Sequence, residues 1–434
     1  MGIRFRAALL LLGLVAATRA EAVPAFARKY GMSCTACHVA WPILNQQGQW
    51  FRDNGYQLGL QKDEPAATSA AYLPISIRTV PAYQFDRTTN QPGRFDKTVV
   101  QSGGFAPIAL DLIAAGTFGT NVSYLAVLAG FASNEAGAVE SAWARVSNIA
   151  GTGWLNLRAG KFEAEVPISG RRGITRTTKH AVHKATFAHT GSSVAFRLHD
   201  NQTGVELDGH DERSLTRYSL ALMSAPSAGS GGVLSAPVVY GHVTRAFEID
   251  SDVLSMMRVG AFGALGWQPT RFATTDGTAA TAVPGTGYDH RRYARAGAEL
   301  AGTFGSPSTP VYWTAVYMRG QEQASAPDVD PAFATVDNSF NGGYLEIIWV
   351  PFAEMANDAT PWALFGRYDV VRYAKGKELD FDGVTAGVRR LLAVGPRASM
   401  GVHFELHGER LRGTGFDGGA VVKQSALAGV DITF

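Results

Sequence analysis

Apolar and polar residues alternate near the C-terminal end of the chain with the two-residue period of a β-strand. Between Ser399 and Glu409, one face carries Met400, Val402, Phe404 and Leu406, and the other carries His403, Glu405 and His407. The final segment repeats the pattern, with Ala426, Ala428, Val430, Ile432 and Phe434 on one face and Ser425, Gly429, Asp431 and Thr433 on the other. The pattern predicts antiparallel strands with an apolar outer face and a polar inner face.

The predicted strands are joined by connectors whose lengths alternate. Long connectors fall at about 86–97, 164–190, 225–236, 270–291, 321–339 and 412–424, and short ones near 119–121, 150–152, 305–309 and 395–396. Outer-membrane barrels have this asymmetry, with short periplasmic turns and longer outside loops. If Ser193 to Gly209 is one long, bulged strand, the strand count is even. Residues 73–434 are therefore predicted to be all-β, an outer-membrane antiparallel β-barrel of about 16 strands, with about 18 as the alternative.

The first 22 residues have the composition of a secretory signal peptide. Arg4 and Arg6 precede an apolar run from Ala7 to Ala17, and Ala20-Glu21-Ala22 follows as a small-residue cleavage site. The run has about half of the roughly 20 residues that a membrane-spanning helix needs. An exported chain without such a helix enters a membrane as a barrel, so the predicted location is the bacterial outer membrane, with its lipid as a partner.

Composition narrows the classes of protein further. With 46% hydrophobic and 18% charged residues, the chain does not fit a disordered protein, and two cysteines do not make a disulfide scaffold. Cleavage after Ala22 removes three of the 39 basic and one of the 37 acidic residues, which leaves 36 of each. A net charge near zero gives no basis for binding nucleic acid.

The chemistry of the chain is concentrated in Cys34-Thr35-Ala36-Cys37-His38. Two thiols at this spacing form thioethers with one haem, and the adjacent imidazole becomes the proximal iron ligand. Three other interpretations are a disulfide, a thioredoxin-like pair and half of a zinc site. A zinc site would need further Cys or His ligands at finger-like spacing, and none occurs nearby. A thioredoxin-like pair would need a βαβ context, which is absent. A disulfide would leave His38 without a role. The motif therefore predicts one covalently bound haem c.

Residues 23–60 around the motif are predicted to form a small helical haem domain, joined to the barrel by a linker at 61–72. Ser33 is the expected N-cap of one helix, Pro42 the first residue of the next, and Asn54-Gly55 its end. The apolar shell of the haem is expected from Trp41, Trp50, Phe51 and Tyr56. So small a domain needs added burial, and we expect it to plug the barrel lumen.

The second axial ligand of this haem is not local, because no His or Met occurs from Val39 to Leu73. Either the iron is five-coordinate or the barrel supplies the ligand. The candidate distal ligands are His403 and His407 in the lumen and His180, His183 and His189 in or beside the longest loop. Lumenal Met256 is an alternative, and a Met ligand would raise the potential relative to a second His.

The segment VPAFARKYGMSCTACHVAWPILNQQGQWFRDNGYQL resembles the N-terminal haem segment of the fused monohaem cytochrome-porins of iron-oxidising bacteria. The residues that carry the resemblance are Pro24, Ala27-Arg28, Gly31-Met32, Cys34 to His38, Pro42, Leu44, Gly48, Phe51 and Gly55-Tyr56. The resemblance is specific over about 35 residues. Over the rest of the chain it concerns only the length and the barrel pattern. It implies a haem domain plugging a barrel, electron uptake from extracellular Fe(II), and delivery to periplasmic c-type cytochromes.

Three functions stay open from the sequence. The leading hypothesis is an electron-transfer protein with Fe(II) oxidase activity across the outer membrane, with no catalytic residue assigned. A haem-plugged diffusion porin is the second, and a five-coordinate haem protein with peroxide or small-ligand chemistry is the third. Other reductants and reversed electron flow fit the same motif.

Charged residues of the barrel are assigned structural roles. The acidic residues of the predicted loop at 321–339 are expected to form a solvated surface, with dication attraction as the alternative; they are Glu322, Asp328, Asp330 and Asp337. The lumen-facing charges are expected to contact the plug; they are Arg295, Glu299, Glu346, Arg389 and Glu405.

Overall fold

A computed structural model describes eighteen stretches of the chain. The described residues are 25–32, 36–40, 43–58, 74–89, 99–106, 110–129, 138–166, 173–185, 197–224, 237–251, 253–271, 288–306, 308–322, 338–351, 362–374, 380–394, 399–413 and 420–433. The predicted signal peptide, the whole linker at 61–72 and Cys34 lie outside these residues.

Four short elements precede the barrel. They are α1 (Ala25–Tyr30), β1 (His38–Ala40), β2 (Ile43–Leu44) and α2 (Gln46–Asp53). The second helix begins later than predicted, because Asn45 is its N-cap and accepts a hydrogen bond from the Gly48 N–H at 2.9 Å. Residues 43–44 pair with β1 as a strand, so Pro42 does not start the helix. The predicted stop is correct, since Asn54 is the C-cap.

The remaining strands close into one antiparallel barrel. They are β3 (Ile75–Thr79), β4 (Ala82–Thr89), β5 (Val99–Ala106), β6 (Leu110–Thr117), β7 (Val122–Ala129), β8 (Ala138–Val146), β9 (Asn156–Glu163), β10 (Asn201–His210), β11 (Thr216–Ser224), β12 (Pro237–Glu248), β13 (Leu254–Arg271), β14 (Tyr288–Phe304), β15 (Val311–Glu322), β16 (Asn338–Trp349), β17 (Trp362–Tyr373), β18 (Asp380–Val394), β19 (Ser399–Arg412) and β20 (Val421–Thr433).

Two pairs of these segments each form one wall strand. The segments β3 and β4 pair with β20 in a continuous register, from Thr433 opposite Arg78 to Gly429 opposite Ala82. They are interrupted only at residues 80–81, where Pro81 cannot donate to the ladder. Segment β5 pairs with β4, and β6 pairs with β3, so β5 and β6 also form one wall strand. The barrel of the described chain therefore has 16 strands, which confirms the prediction.

The connectors alternate in length as predicted, with two exceptions. Residues 164–200 form the longest connector, and 211–215 and 249–253 are typical short turns. The connector at 350–361 is long although it lies on the short-turn side, and that at 374–379 is short on the long-loop side. Ser193–Gly209 contributes one strand, which begins at Asn201 because Leu198 to Asp200 form a turn.

The outer surface of the barrel is apolar, as expected for a lipid-facing wall. Phe404 and Leu406 of β19 are exposed, whereas His403, Glu405 and His407 of the same strand are buried in the lumen. Exposed tryptophans also lie near strand ends, including Trp154 and Trp362, as expected for interfacial residues. The side chain of Trp267 lies outside the described residues.

The lumen is not polar throughout, which corrects the sequence interpretation. Large apolar side chains of β9 to β17 point inward and form one buried cluster, which includes Phe162, Met223, Tyr240, Phe262, Tyr293, Met318, Phe340 and Tyr344. The described parts of connector 164–200, which are 164–166, 173–185 and 197–200, cover this cluster with Val166, Val182, Ala185 and Leu198. We call residues 164–200 the inner connector. It contains the short helix α3 (Ala181–Lys184).

Candidate functional site

The segment that follows the haem motif lies at the end of the barrel where the short turns are. Gln46 and Trp50 donate to the carbonyls of Arg213 and Glu212 in the turn after β10, both at 2.9 Å. Gln57 donates to the carbonyl groups of the turn between β6 and β7. Since short turns are periplasmic in outer-membrane barrels, this segment faces the periplasm.

Ionic contacts fix the C-terminal end of α2 to the barrel wall. Asp53 is 7% exposed and forms an ion pair with Arg217, whose Nε lies 2.6 Å from Oδ2 and whose Nη2 donates to Oδ1 at 3.1 Å. Arg52 contacts Glu165 of the inner connector at 2.6 Å. Arg145 donates to the carbonyl oxygen of Asp53 at 2.8 Å. Burial alone would raise the pKa of Asp53, but Arg217 and Arg52 outweigh it and hold that pKa below its usual range. The sequence pattern did not reveal this anchor.

An aromatic cluster holds α1 against α2 and against the wall. Phe26 stacks on Tyr56 with ring centroids 4.6 Å apart and meets Phe51 edge-on at 5.2 Å. Tyr56 stacks in turn on Trp143 of β8 at 6.0 Å. Such contacts stabilise by about 0.5–1.5 kcal/mol each beyond their buried area. Phe51 and Tyr56 are thus packing residues of this segment, and Trp50 faces a turn.

Residues 36–38, the described part of the Cys34–His38 motif, make close backbone contacts with the start of α2. Asn45 N–H donates to the Cys37 carbonyl at 3.0 Å, and the Asn45 amide donates to the Ala36 carbonyl at 3.1 Å. Gly48 of α2 lies directly on Cys37, since a Cβ there would collide with the Cys37 carbonyl oxygen. Cys37 is a free, half-buried thiol, and burial raises its pKa. The motif is therefore held against α2 by its own backbone.

Val39, the residue that follows the motif, lies inside the lumen. Val39 is 8% exposed and belongs to a buried cluster with Val350, Ala363, Phe365 and Ile174, of which Ile174 is in the inner connector. The adjacent His38 is half-buried on β1. A haem c on this motif would need two thiols and an imidazole. Cys37 and His38 would supply one thiol and the proximal imidazole, while Cys34 lies outside the described residues.

The candidate ligands in the inner connector lie deep in the lumen. His180 and His183 are each 1% exposed, and their ring centroids are 5.7 Å apart. His180 stacks near Tyr344 at 4.2 Å, and its Nε2 is 3.3 Å from Glu346. Burial lowers the pKa of both imidazoles well below the ordinary value. The inward folding of the longest loop is thus confirmed for these two residues, while His189 lies outside the described residues.

The two candidates on β19 differ from each other. His407 is engaged by Thr385 at 2.9 Å and by Glu409 at 3.3 Å. His403 is also buried, but among the described residues neither of its ring nitrogens has a hydrogen-bond partner. Its closest charged contact is Asp431, 3.8 Å from Nδ1. Met256 lies on β13, half-buried. In the described part of the chain, no group of three or more His, Cys, Asp or Glu is arranged to hold a metal ion.

The predicted lumen charges have partners mainly in the inner connector and on neighbouring strands. Glu405 accepts from the backbone N–H groups of Arg176 and Thr177, at 2.6 and 2.8 Å. Glu346 contacts His180, and Arg389 pairs with Asp431, which also binds Arg176 at 2.9 Å. The expectation was a contact with the N-terminal haem plug. Glu405 and Glu346 instead contact the inner connector, and Arg389 contacts Asp431 of β20.

The other two lumen charges pair with neighbouring strands. Glu299 lies 3.4 Å from His242, and Arg295 binds Glu322. Glu322 was expected in a solvated loop, which is wrong: β15 extends through this residue and turns it into the lumen, where it is 4% exposed. Asp328, Asp330 and Asp337 lie outside the described residues.

Comparison with known proteins identifies the barrel. No family model and no curated protein matches the chain. Among solved structures, the anion-selective porin from Comamonas acidovorans has a TM-score of 0.50 at 10% identity, over 83% of this chain and 99% of that one. OmpT of Vibrio cholerae, folded in vitro, has a TM-score of 0.47 at 11% identity, over 83% and 97% of the two chains.

The fold is that of an outer-membrane porin. The closed 16-strand porin barrel places the protein in the outer membrane, as the alternating pattern predicted. At such low identity the likeness concerns the fold alone. Inside this barrel, the inner connector and the N-terminal segment meet at Arg52 and Glu165.

Proposed function

We propose that this protein is an outer-membrane electron conduit. In this proposal a porin-type barrel carries one haem c on Cys34, Cys37 and His38 and passes electrons from extracellular Fe(II) to periplasmic c-type cytochromes. The observation that carries it is the position of the motif: Val39 packs into the lumen while α2 is fixed to the short-turn end. A haem c bound there supplies a one-electron redox centre, reduced once for each Fe(II) that becomes Fe(III).

The chain's own residues set the conditions for such a conduit. Asp53 and Arg217 fix α2 to the barrel wall, and Gly48 lets α2 lie directly on Cys37. The inner connector fills the lumen beyond the motif and covers its apolar wall. The inner connector thereby limits the passage of ions through the barrel. The motif lies at the periplasmic end of the lumen. The resemblance of residues 23–58 to the monohaem cytochrome-porins supports Fe(II) as the electron donor.

A haem-bearing diffusion porin is the second candidate, and the closed 16-strand barrel favours it. Porins of this strand number leave an aqueous channel. The two candidates differ in what crosses the membrane, because a plugged conduit passes electrons with little ion current and a diffusion porin passes ions.

The test uses proteoliposomes that contain an entrapped c-type cytochrome as electron acceptor. Fe(II) is added outside, and absorbance of the entrapped acceptor reports electron transfer. The matched control is Cys34→Ser/Cys37→Ser, which keeps the barrel and removes both attachment thiols. We expect reduction by the native protein at least about tenfold faster than by the control, with low ion conductance in both. Equal rates with high conductance would establish the diffusion porin, and a native protein without covalent haem would overturn the conduit.

A further inference from the structure

Buried polar side chains gather on the part of the lumen wall that β18 to β20 and β3 form. On the inner face of β18 to β20 they include Thr385, Arg389, His403, Glu405, His407 and Asp431. Arg78 of β3 lies on the same face, because it is two residues from Ser76, whose side chain is fully buried. We call Arg78, Arg176, Arg389, His403 and Asp431 the arginine cluster. It shares no residue with the haem motif or with α2.

Three guanidinium groups from separate elements share the carboxylate of Asp431 on β20. Arg176 of the inner connector donates from Nη2 to Oδ1 at 2.9 Å and to Oδ2 at 3.2 Å. Arg389 of β18 donates to Oδ2, and Arg78 donates to Oδ1 at 3.5 Å. Asp111 of β6 is a second, longer contact of Arg78, at 3.7 Å. Three cations thus converge on a carboxylate that has only two oxygens.

The imidazole of His403 completes the arginine cluster from β19. Its register neighbours are Arg389 on β18 and Gly429 on β20. The side chain is 4% exposed, and Asp431 lies 3.8 Å from Nδ1, beyond hydrogen-bond distance. Neither ring nitrogen has a hydrogen-bond partner among the described residues. A neutral imidazole carries one N–H, so this cluster holds a buried donor without an acceptor, which is unfavourable.

Two of the arginines also have donors to spare. The Nε atoms of Arg78 and Arg176 are shielded from solvent and have no hydrogen-bond partner in the described part of the chain. The two side chains are 15% and 19% exposed, so solvent reaches other parts of them. Burial and the charges of Arg78 and Arg389 lower the pKa of Arg176. Asp431 therefore does not fully offset the repulsion among the three cations.

A structural role explains only part of this arrangement. Arg176 fixes the inner connector to the wall through Asp431, and its backbone N–H adds a contact with Glu405 at 2.6 Å. Among the described residues, neither Arg78 nor His403 makes a hydrogen bond or ion pair with the inner connector. Their donors are left for a second acceptor beside Asp431.

The donor set defines the chemistry of that acceptor. Guanidinium groups favour oxyanions, since two N–H groups of one fork match two oxygens. The donors come from β3, from β19 and from the inner connector, and thus from different directions. A tetrahedral oxyanion presents oxygens in several directions, whereas a carboxylate presents two in one plane. A cation is disfavoured by the three guanidinium groups.

We propose that Arg78, Arg176 and His403 bind a small soluble oxyanion of the phosphate or sulfate class in the lumen. Arg389 and Asp431 are positioning residues, because they hold the guanidinium of Arg176 in place. The bound oxyanion links the wall to the inner connector and stabilises the connector in its inward position.

The test is isothermal titration calorimetry of the full-length protein in detergent, dialysed into sodium chloride and titrated with sulfate and with phosphate at constant ionic strength. We expect saturable one-to-one binding of at least one of them. Loss of a charge-assisted hydrogen bond in Arg78→Gln should weaken it at least about tenfold. The matched control is Arg372→Gln on β17, which removes a guanidinium that pairs with Asp380 and Asp382 and should leave the affinity unchanged.

Hydrogen exchange shows whether binding occurs at the arginine cluster. The oxyanion that binds should slow exchange of residues 173–185 in the native protein and in Arg372→Gln, but not in Arg78→Gln. Heat-modifiable migration in electrophoresis verifies that each barrel is folded. If Arg78→Gln does not fold, Arg78→Lys decides, because it keeps the charge and removes the fork, and its affinity should also fall.

Two results would overturn the proposal. One is a native protein that binds neither sulfate nor phosphate in a saturable way. The other is a folded Arg78→Gln or Arg78→Lys protein that binds as tightly as the native protein, since the oxyanion would then lie elsewhere. Both results leave the proposed electron transfer untouched, because the arginine cluster contains no residue of the haem motif.

Discussion

At the scale of single residues, two glycines create close contacts that no larger residue permits. Gly48 brings α2 onto the carbonyl of Cys37, and Gly429 makes room for the ring of His403. Gly48 lies beside Cys37, which the proposed function assigns to the haem, and Gly429 lies beside His403, one of the candidate ligands from the sequence.

Gly48→Ala tests the contact between α2 and the motif. The new methyl group would collide with the Cys37 carbonyl oxygen, so the helix must shift at a cost of about 1–3 kcal/mol. We expect lower covalent haem content and faster proteolysis after residue 58, measured by pyridine haemochrome and limited trypsin digestion. Gln47→Ala is the control, since Gln47 is exposed on the same helix. Equal haem content in both variants would contradict the prediction.

At the scale of elements, α2 depends on a buried ion pair with the wall. Asp53→Asn removes the carboxylate that lies 2.6 Å from Arg217 and leaves Glu165, at 3.2 Å, as the remaining partner. We expect a cost below the value of about 3–5 kcal/mol for a buried charge left with no partner. We expect the N-terminal segment to detach while the barrel stays folded. Hydrogen exchange of residues 46–57 measures this, with Gln46→Ala as a milder control at the same turn. Unchanged exchange in Asp53→Asn would show that the aromatic cluster alone holds the segment.

The inner connector is predicted to loosen in acid. Burial lowers the pKa of His180 and His183 well below 6.5, and that of His199 to about 4. A group with a lowered folded pKa binds more protons when unfolded, so its stabilising effect is complete above the unfolded value and falls as pH drops toward the folded one. Lys184 and Arg367 oppose protonation, whereas Asp369 and Glu346 are the acidic groups nearby.

We therefore expect protection of residues 173–185 against hydrogen exchange to be high at pH 7.5 and to decline at pH 5, while strands β18 to β20 stay protected. His180→Gln/His183→Gln should flatten this pH dependence. A decline of the same size in the double variant would place its cause elsewhere in the lumen.

The sequence predicts elements well where one face is apolar and the other polar. Strand β19 has this pattern, and its lumen-facing residues were identified correctly. Strand β12 does not, because Val238 and Tyr240 point inward while Val239 and Val243 point outward, so period-two alternation is hidden. The anchor of Asp53 on Arg217 joins residues 164 positions apart, and the neighbours of His403 across the wall, Arg389 and Gly429, depend on the register of β18, β19 and β20. Neither is encoded in local spacing.

At the scale of the whole molecule, the apolar lumen and the inner connector belong together. A water-filled channel has a polar interior, whereas the inner face of β9 to β17 carries buried aromatic and aliphatic side chains. Val166, Val182, Ala185 and Leu198 of the inner connector pack on these side chains. The apolar wall and the described parts of the inner connector therefore form one buried cluster.

Removal of the plug is predicted to convert the barrel into a channel. Replacing residues 167–196 by a short Gly/Ser linker keeps Glu165 and its contacts with Arg52 and Arg217. It removes α3 and two of the four covering side chains, Val182 and Ala185. In planar bilayers we expect single-channel conductance to rise at least about tenfold over the native protein, toward that of an open 16-strand porin.

Shortening loop 272–287 serves as the control, because that connector joins β13 to β14 and leaves the inner connector untouched. We expect its conductance to match the native value. If the native barrel already conducts like an open porin, ions pass around the inner connector, and the protein is a diffusion porin. If the deletion conducts no better than the native chain, the N-terminal segment must close the lumen by itself, and Asp53→Asn in the deletion background should then open it.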